Sequence, residues 1–313
     1  MKRSISIVVA AVVAFMLALC MAGCSSSSQN YTPETKAAKV TVASSDLVTA
    51  GTLTVGVNAG NPPLAGQTSD YVGVDVDIAA AMADAMGLKL KIVDVKSDPV
   101  TALEKGTVDL VMGLDATQTY ENKLTLSKTY LQTGVALFST KASAEVPTAA
   151  SNSKFSAQAS SVSAWDITSQ FGAASLTSTT DLTSAFSALK EGTVDFAVAD
   201  AVVGTYAAHT SGLSVYITAM VTAPGGYCAG VKADKTNLNT AVTEALKLVT
   251  DNGTVNLVQK KWLGTTLSLS TLKVTATTMA AATTTTTGEQ TQTTDTASAQ
   301  GTDAASVQGA AAE

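Results

Sequence analysis

The chain has 313 residues, 46% of them apolar and 14% charged, and carries a formal net charge of −6. That length accommodates one large or two medium domains. Arg3 is the only arginine, and phosphate recognition relies on clustered Lys and Arg, so the composition argues against nucleic acid as a partner.

Lys2 and Arg3 precede an apolar run from Ile5 to Ala22, the pattern of a secretory leader. The run is also long enough to be read as an uncleaved membrane-spanning anchor. Its end favours the leader: Met21-Ala22-Gly23-Cys24, followed by four serines, resembles a bacterial lipobox. Residues 1–23 are therefore read as a lipoprotein signal peptide. Cys24 becomes the lipidated first residue, and the rest is extracytoplasmic, anchored to the bacterial cell membrane. Losing the leader removes Lys2 and Arg3, so the mature chain is more acidic and has no arginine. Cys228 is then left without a partner for an internal disulfide. Residues 24–45 are polar and aperiodic, a flexible tether.

Leu53 to Val57 reads as a first strand, followed by a polar loop containing Pro62-Pro63. Gly73-Val74-Asp75-Val76-Asp77-Ile78 leads into an apolar-rich helix ending at Gly87, and Leu88 to Val95 alternates as a strand. Asp98-Pro99 is an N-cap followed by Pro at the first helical position. Alternating strands and helices imply parallel βαβ units.

One stretch occurs twice. Ala102-Leu103-Glu104-Lys105-Gly106-Thr107-Val108-Asp109-Leu110-Val111 returns as Ala188-Leu189-Lys190-Glu191-Gly192-Thr193-Val194-Asp195-Phe196-Ala197. Each copy reads as a last helical turn, a Gly past the helix end, then a buried strand. Two copies suggest two similar lobes. Ligands gather beyond the carboxyl ends of strands in open α/β sheets, which directs attention to Gly113–Thr117 and Ala199–Ala201. Asp109 and Asp195 read as turn or cap partners rather than ligand contacts. From about Thr275 the sequence is Thr, Ala, Gln and Gly without Lys, Arg or aromatic residues; 273–313 is read as a disordered tail.

The Pro-Pro loop, the Gly73–Ile78 motif, and Ala102-Leu103-x-x-Gly106-x-Val108-Asp109 together resemble family 3 of the bacterial extracellular solute-binding proteins, the amino-acid-binding components of ABC importers. Ser127 and Tyr130 match a further family motif, Val135–Lys141 and Gly226–Lys232 resemble its two crossover strands, and Lys261-Trp262-Leu263-Gly264 its C-terminus. The resemblance implies an α/β fold of two lobes with two crossover strands and a ligand cleft between them. Lobe 1 would comprise 46–139 and 229–272, and lobe 2 140–228. It also implies a hinge, a small polar solute as ligand, ABC permease subunits as partners, membrane association through the lipid anchor and a monomeric state.

The resemblance places Asp200 where the family's lobe 2 Asp binds the ligand's α-ammonium. Thr117, Ser160 and Ser161 fall where hydroxyls or backbone N–H groups are supplied. Tyr120 stands where the family has the Arg that grips the α-carboxylate, a role suited to its planar fork. Asp115 stands where Ser or Thr is common, and Asn61 and Leu64 where aromatic cover is common. The ligand is therefore expected to offer an ammonium or other cationic or neutral polar group to Asp115 and Asp200, with Tyr120, Tyr71 or Trp165 as apolar or cation–π cover. An ordinary amino acid fits equally if Lys123 or backbone N–H groups take the carboxylate. Trp165 and Trp262 are otherwise core by default, and Cys228 is expected to be buried and inert.

No metal-ligand spacing of Cys or His and no phosphate-loop motif is present, so no cofactor is implied and the protein is read as a binder rather than an enzyme. The alternatives are a surface protein that keeps the fold without binding a small molecule and, further off, a dehydratase-like enzyme on the same fold.

Overall fold

The first lobe is built on β1 (Thr52–Val57), buried from Leu53 onward. The computed structural model describes residues 40–275. The expected leader 1–23, the expected lipidation site Cys24, the expected tether up to 39 and the expected tail beyond 275 lie outside the described residues. A small antiparallel sheet follows β1, made of β2 (Gly60–Asn61), β3 (Ala65–Gln67) and β4 (Tyr71–Val72). Helix α1 (Val74–Ala85) buries Val74, Ile78, Ala79 and Met82 completely, the helical spacing of a core-facing stripe. Then come β5 (Lys89–Asp94), α2 (Pro99–Glu104), β6 (Leu110–Asp115), β7 (Leu124–Leu126) and β8 (Leu131–Thr133). Asp98 caps α2 as its sequence predicts, accepting the Thr101 N–H at 3.3 Å.

The second lobe contains β9 (Val135–Ser139), β10 (Phe155–Gln158), α3 (Val162–Phe171), β11 (Leu176–Thr179), α4 (Leu182–Glu191), β12 (Phe196–Asp200), α5 (Ala201–Thr210) and β13 (Tyr216–Met220). Strand β14 (Gly225–Lys232) returns to the first lobe, where α6 (Thr236–Asp251) and α7 (Thr254–Leu263) close the α/β core.

The two main sheets share one plan. The first runs β5-β1-β6-β14-β7, with β8 also on β14; the second runs β11-β10-β12-β9-β13. The parallel strands are β1, β5 and β6 in the first sheet and β10, β11 and β12 in the second, as βαβ alternation predicts, and a crossover strand joins antiparallel to the last of each set, β14 to β6 and β9 to β12. Helices cover both faces: α1, α6 and α7 on one side of the first sheet and α2 on the other, α4 and α5 opposite α3 on the second.

The repeated stretch adopts the same local structure twice. Gly106 and Gly192 take left-handed φ values of +64° and +72°, which only glycine adopts without strain. Ala102 O accepts both the backbone N–H (3.0 Å) and the hydroxyl (2.9 Å) of Thr107; Ala188 O does the same for Thr193 at 3.1 and 3.0 Å. The strands begin at Leu110 and Phe196, so Thr-Val-Asp is a connecting turn rather than the strand start. The aspartates are not caps of their own helices. Asp109 accepts the N–H groups of Val48 and Thr54, each at 2.6 Å, and Asp195 that of Lys154 at 2.8 Å. Asp109 thus ties down β1 and the segment before it, and Asp195 the entry to β10.

Packing shifts several boundaries. Val40 is buried against the core and donates its N–H to Ala85 O at 3.1 Å, so ordered structure begins before residue 46. The chain changes sheets at Gly134, not after 139, because Val135–Ser139 pairs with β12 and β13. It returns by Gly225, before the expected 229, because Gly225–Tyr227 already pairs with β8. Leu267 touches the cores of both lobes, Leu269, Leu272 and Val274 pack on the second lobe rather than the first, and Thr275 is fully buried. Trp262 is core as expected, with its indole N–H on Asp77 Oδ2 at 2.7 Å. Trp165 is not; it is 70% exposed.

Candidate functional site

The carboxyl ends of β6 and β12 carry the two aspartates singled out in the sequence. Asp200 ends β12 and caps α5: its Oδ1 accepts the N–H groups of Val202 and Val203 at 2.9 and 3.0 Å. Its Oδ2 accepts the hydroxyl of Thr133 at 2.5 Å. Asp200 is thus both a helix cap and a bridge, since Thr133 belongs to the first-lobe strand β8. Burial raises its pKa, and the Thr133 hydroxyl with the capping N–H groups offsets part of that rise.

Asp115 ends β6, where its Oδ1 accepts the Thr117 N–H at 2.8 Å and the Thr117 hydroxyl at 2.7 Å. The structure therefore brings Asp115 and Thr117 together as one closed turn. Ser161 caps α3 through the Ala164 N–H at 3.1 Å, and Ser160 just before it has a left-handed φ of +59°. Trp165 stands on the same helix, four residues beyond Ser161. Asn61 and Tyr71 lie on the small sheet between β1 and α1, both half-buried.

Three residues that sequence reasoning left out join the aspartates. Tyr227, on β14, has its phenol pKa raised by burial first, then by the charges of Asp200, Asp75 and Asp115, while Thr133 hydrogen-bonds to it and pulls the other way. All three carboxylates therefore lie within electrostatic reach of one hydroxyl. Asp75 is 2% exposed and accepts the Tyr130 hydroxyl at 2.6 Å, while Tyr130 accepts the Gly113 N–H at 2.8 Å. Burial pushes the Asp75 carboxyl up to about 7. A Cβ on Gly113 would come within 2.6 Å of Asp75 Oδ2, so glycine is what lets β6 lie over this acid. Asp75 stood inside the quoted Gly73–Ile78 motif, but nothing in one sequence places it beside strands that follow 40 and 150 residues later.

The carboxylate end of the expected site is differently built. Tyr120 packs its ring in the apolar cluster with Cys228 and Leu126, and its hydroxyl donates to the Asp115 carbonyl at 3.3 Å. Lys123 is held by Glu104 at 3.2 Å, with Glu121 at 3.9 Å. Leu64 is buried in the first-lobe core. Cys228 is fully buried, its thiol donating to Leu114 O at 3.3 Å and raised to about 11 by burial first and Asp115 second.

Residues 53–265 match the family model of the bacterial extracellular solute-binding proteins, family 3. The chain belongs to this family. A comparison with curated proteins returns no match. Among solved structures, a substrate-binding protein of a polar amino acid ABC uptake transporter from Streptococcus thermophilus superposes with a TM-score of 0.62 at 20% identity, over 70% of this chain and 88% of that one. The L-cystine solute receptor of Neisseria gonorrhoeae gives 0.60 at 18% identity, over 70% and 95%. An ancestral cationic amino acid solute-binding protein gives 0.59 at 24%, over 70% and 99%. At these identities the likeness establishes the two-lobe fold of a periplasmic binding protein. Among the described residues no helix is long and apolar enough to cross a membrane.

Proposed function

We propose that this family 3 protein is the lipid-anchored substrate-binding component of an ABC importer, which captures an amino acid or related amine-bearing polar solute between its lobes and delivers it to a membrane permease. The observation that carries the reading is the placement of Asp115 and Asp200 at the carboxyl ends of β6 and β12, one from each lobe, with Tyr227 opposite Asp115 in the sheet register, where α/β sheets hold ligands. An ammonium group placed there meets ionisable acceptors from both lobes, so it draws the lobes together and shifts the population toward a closed form. Ser160, Ser161 and Trp165, at the start of α3 on the second lobe, are the further contacts this reading assigns to the solute, through N–H groups and an exposed ring. Asn61 and Tyr71 contribute from the first lobe.

The balance of charge favours the amine over the carboxylate. Tyr120 occupies an apolar cluster, Lys123 is paired with Glu104, and a mature chain without arginine has no planar fork to offer. The carboxylate of an ordinary amino acid would fall to backbone N–H groups.

Thermal unfolding of residues 25–313 against amino acids, polyamines, choline-like amines and short peptides tests this. A ligand at about 100 times its Kd stabilises by about 2.7 kcal/mol, a rise of roughly 5–10 °C in a domain of this size. A shift with amines that lack a carboxylate supports the acidic-cleft reading. A shift confined to amino acids keeps the transport role and moves the carboxylate to the backbone. No shift with any compound overturns the binding role and favours a surface protein that keeps the fold alone.

A further inference from the structure

The chain crosses between the lobes a third time. After α7, the Leu267 N–H donates to Gln259 Oε1 at 2.9 Å, still on the first lobe. The Leu269 N–H then donates to Gln132 Oε1 of β8 at 2.6 Å, with the Ser270 N–H on the same oxygen at 3.4 Å. Lys273 O accepts the Met220 N–H at 2.9 Å, Val274 forms a parallel bridge to Met220, and the Thr275 hydroxyl donates to Gln170 Oε1 at 2.7 Å. Met220 and Gln170 belong to the second lobe. Leu269 is 2% exposed and sits in the second-lobe core with Met220 and Ala208.

This crossing starts away from the cleft, at Gly264, and runs back to Gln132 and Met220, beside the two joints between the lobes. Asp200 opens α5 at the cleft end, and the ten residues of α5 carry the chain ~15 Å from it at ~1.5 Å per residue. At the far end His209 packs against Gly264, where a Cβ would come within 2.5 Å of its Nδ1. The crossing starts at that same Gly264. The lobes are otherwise joined at Gly134 and at 221–224, where the chain changes sheets. Rotation that brings the cleft faces together about those joints draws the far sides apart, and contacts there resist it.

We propose that residues 265–275 form a strap, a third connection that holds the hinge against closure, so that ligand binding works against it. A ligand must then prefer the closed form by enough to overcome the strap, and weakening the strap enriches the closed form without any ligand.

The test is an interlobe distance measured in ligand-free protein, which depends on the two-lobe fold and not on the identity of the solute. Ser69→Cys and Ser178→Cys place spin labels on exposed positions of the two lobes, while Cys228 is buried. Pulsed electron–electron resonance is recorded for residues 25–313, for Gln132→Ala, and for chains ending at Ser268 and at Thr275. We expect Gln132→Ala and the chain ending at Ser268 to gain a shorter-distance population, and the chain ending at Thr275 to match the intact protein. If Gln132→Ala leaves the distribution unchanged, the strap is not a brake; this variant keeps Leu269 in its core position, so it decides the matter even where the shorter chain fails to fold. An equal change on removing only 276–313 would also overturn the proposal.

Discussion

Thr133 and Asp200 join the two lobes through one hydrogen bond, the hydroxyl of the first donating to Oδ2 of the second at 2.5 Å. The same carboxylate caps α5, so its orientation is fixed before any ligand arrives. Preorganisation of this kind reduces the ordering cost of binding.

Asp200→Asn separates the two roles. Asn is as good a helix cap as Asp, so α5 should persist and the stability of the free protein should change by no more than about 1 kcal/mol. An ammonium that loses its charged partner forfeits about 2–5 kcal/mol, roughly 30-fold to several-thousand-fold in affinity. The expected result is a normal melt with no ligand-induced shift. A full shift in the variant would place the ammonium elsewhere.

Lys123→Ala is the complementary control. Its partners are Glu104 and Glu121, an exposed pairing worth at most about 1 kcal/mol. Ligand-induced stabilisation should survive the substitution. Its loss for amino acids alone would show that Lys123 leaves Glu104 to hold their carboxylate.

Asp75 makes stability depend on pH. In the unfolded chain its carboxyl ionises near its ordinary value of 3.8, while burial holds the proton to about 7 in the fold. Between those values the folded state binds more protons than the unfolded, so this group lowers stability as pH rises through the window. Melting temperatures of Asp75→Asn, measured from pH 4 to pH 8, should fall less steeply than those of the parent. Parallel curves would show that Asp75 ionises normally in the fold.

The paired aspartates of the repeat should differ in consequence. Asp109 is buried and holds two backbone N–H groups, and each one orphaned costs about 1–3 kcal/mol. Asp195 is exposed and holds one, which water can replace. Denaturant melts should therefore show Asp109→Ala clearly less stable than Asp195→Ala. Equal losses would mean that water reaches both sites alike.

Much of the architecture was legible in the chain because it is local. The helix cap at Asp98, the glycines after α2 and α4, and period-two and helical apolar spacing each act within a few residues. The repeat announced two lobes because the same short-range hydrogen bonds recur at Ala102–Thr107 and Ala188–Thr193. Asp115, Asp200 and Ser161 could be found because strand ends and helix starts are where α/β folds expose polar groups.

What the tertiary structure decided concerns pairs far apart in sequence. Whether Trp165 is core depends on what covers α3, and among the described residues nothing does on that side. Lys123 could have been free, but Glu104 lies within reach only after α2 and the segment before β7 pack together. Asp75, Thr133 and Tyr227 enter the site because β6, β8, β12 and β14 converge there. The same convergence, not the pattern of residues 265–275, carries the chain across to the second lobe: those residues are too irregular for a regular element, and their partners at Gln132, Gln170 and Met220 become neighbours only in the folded protein.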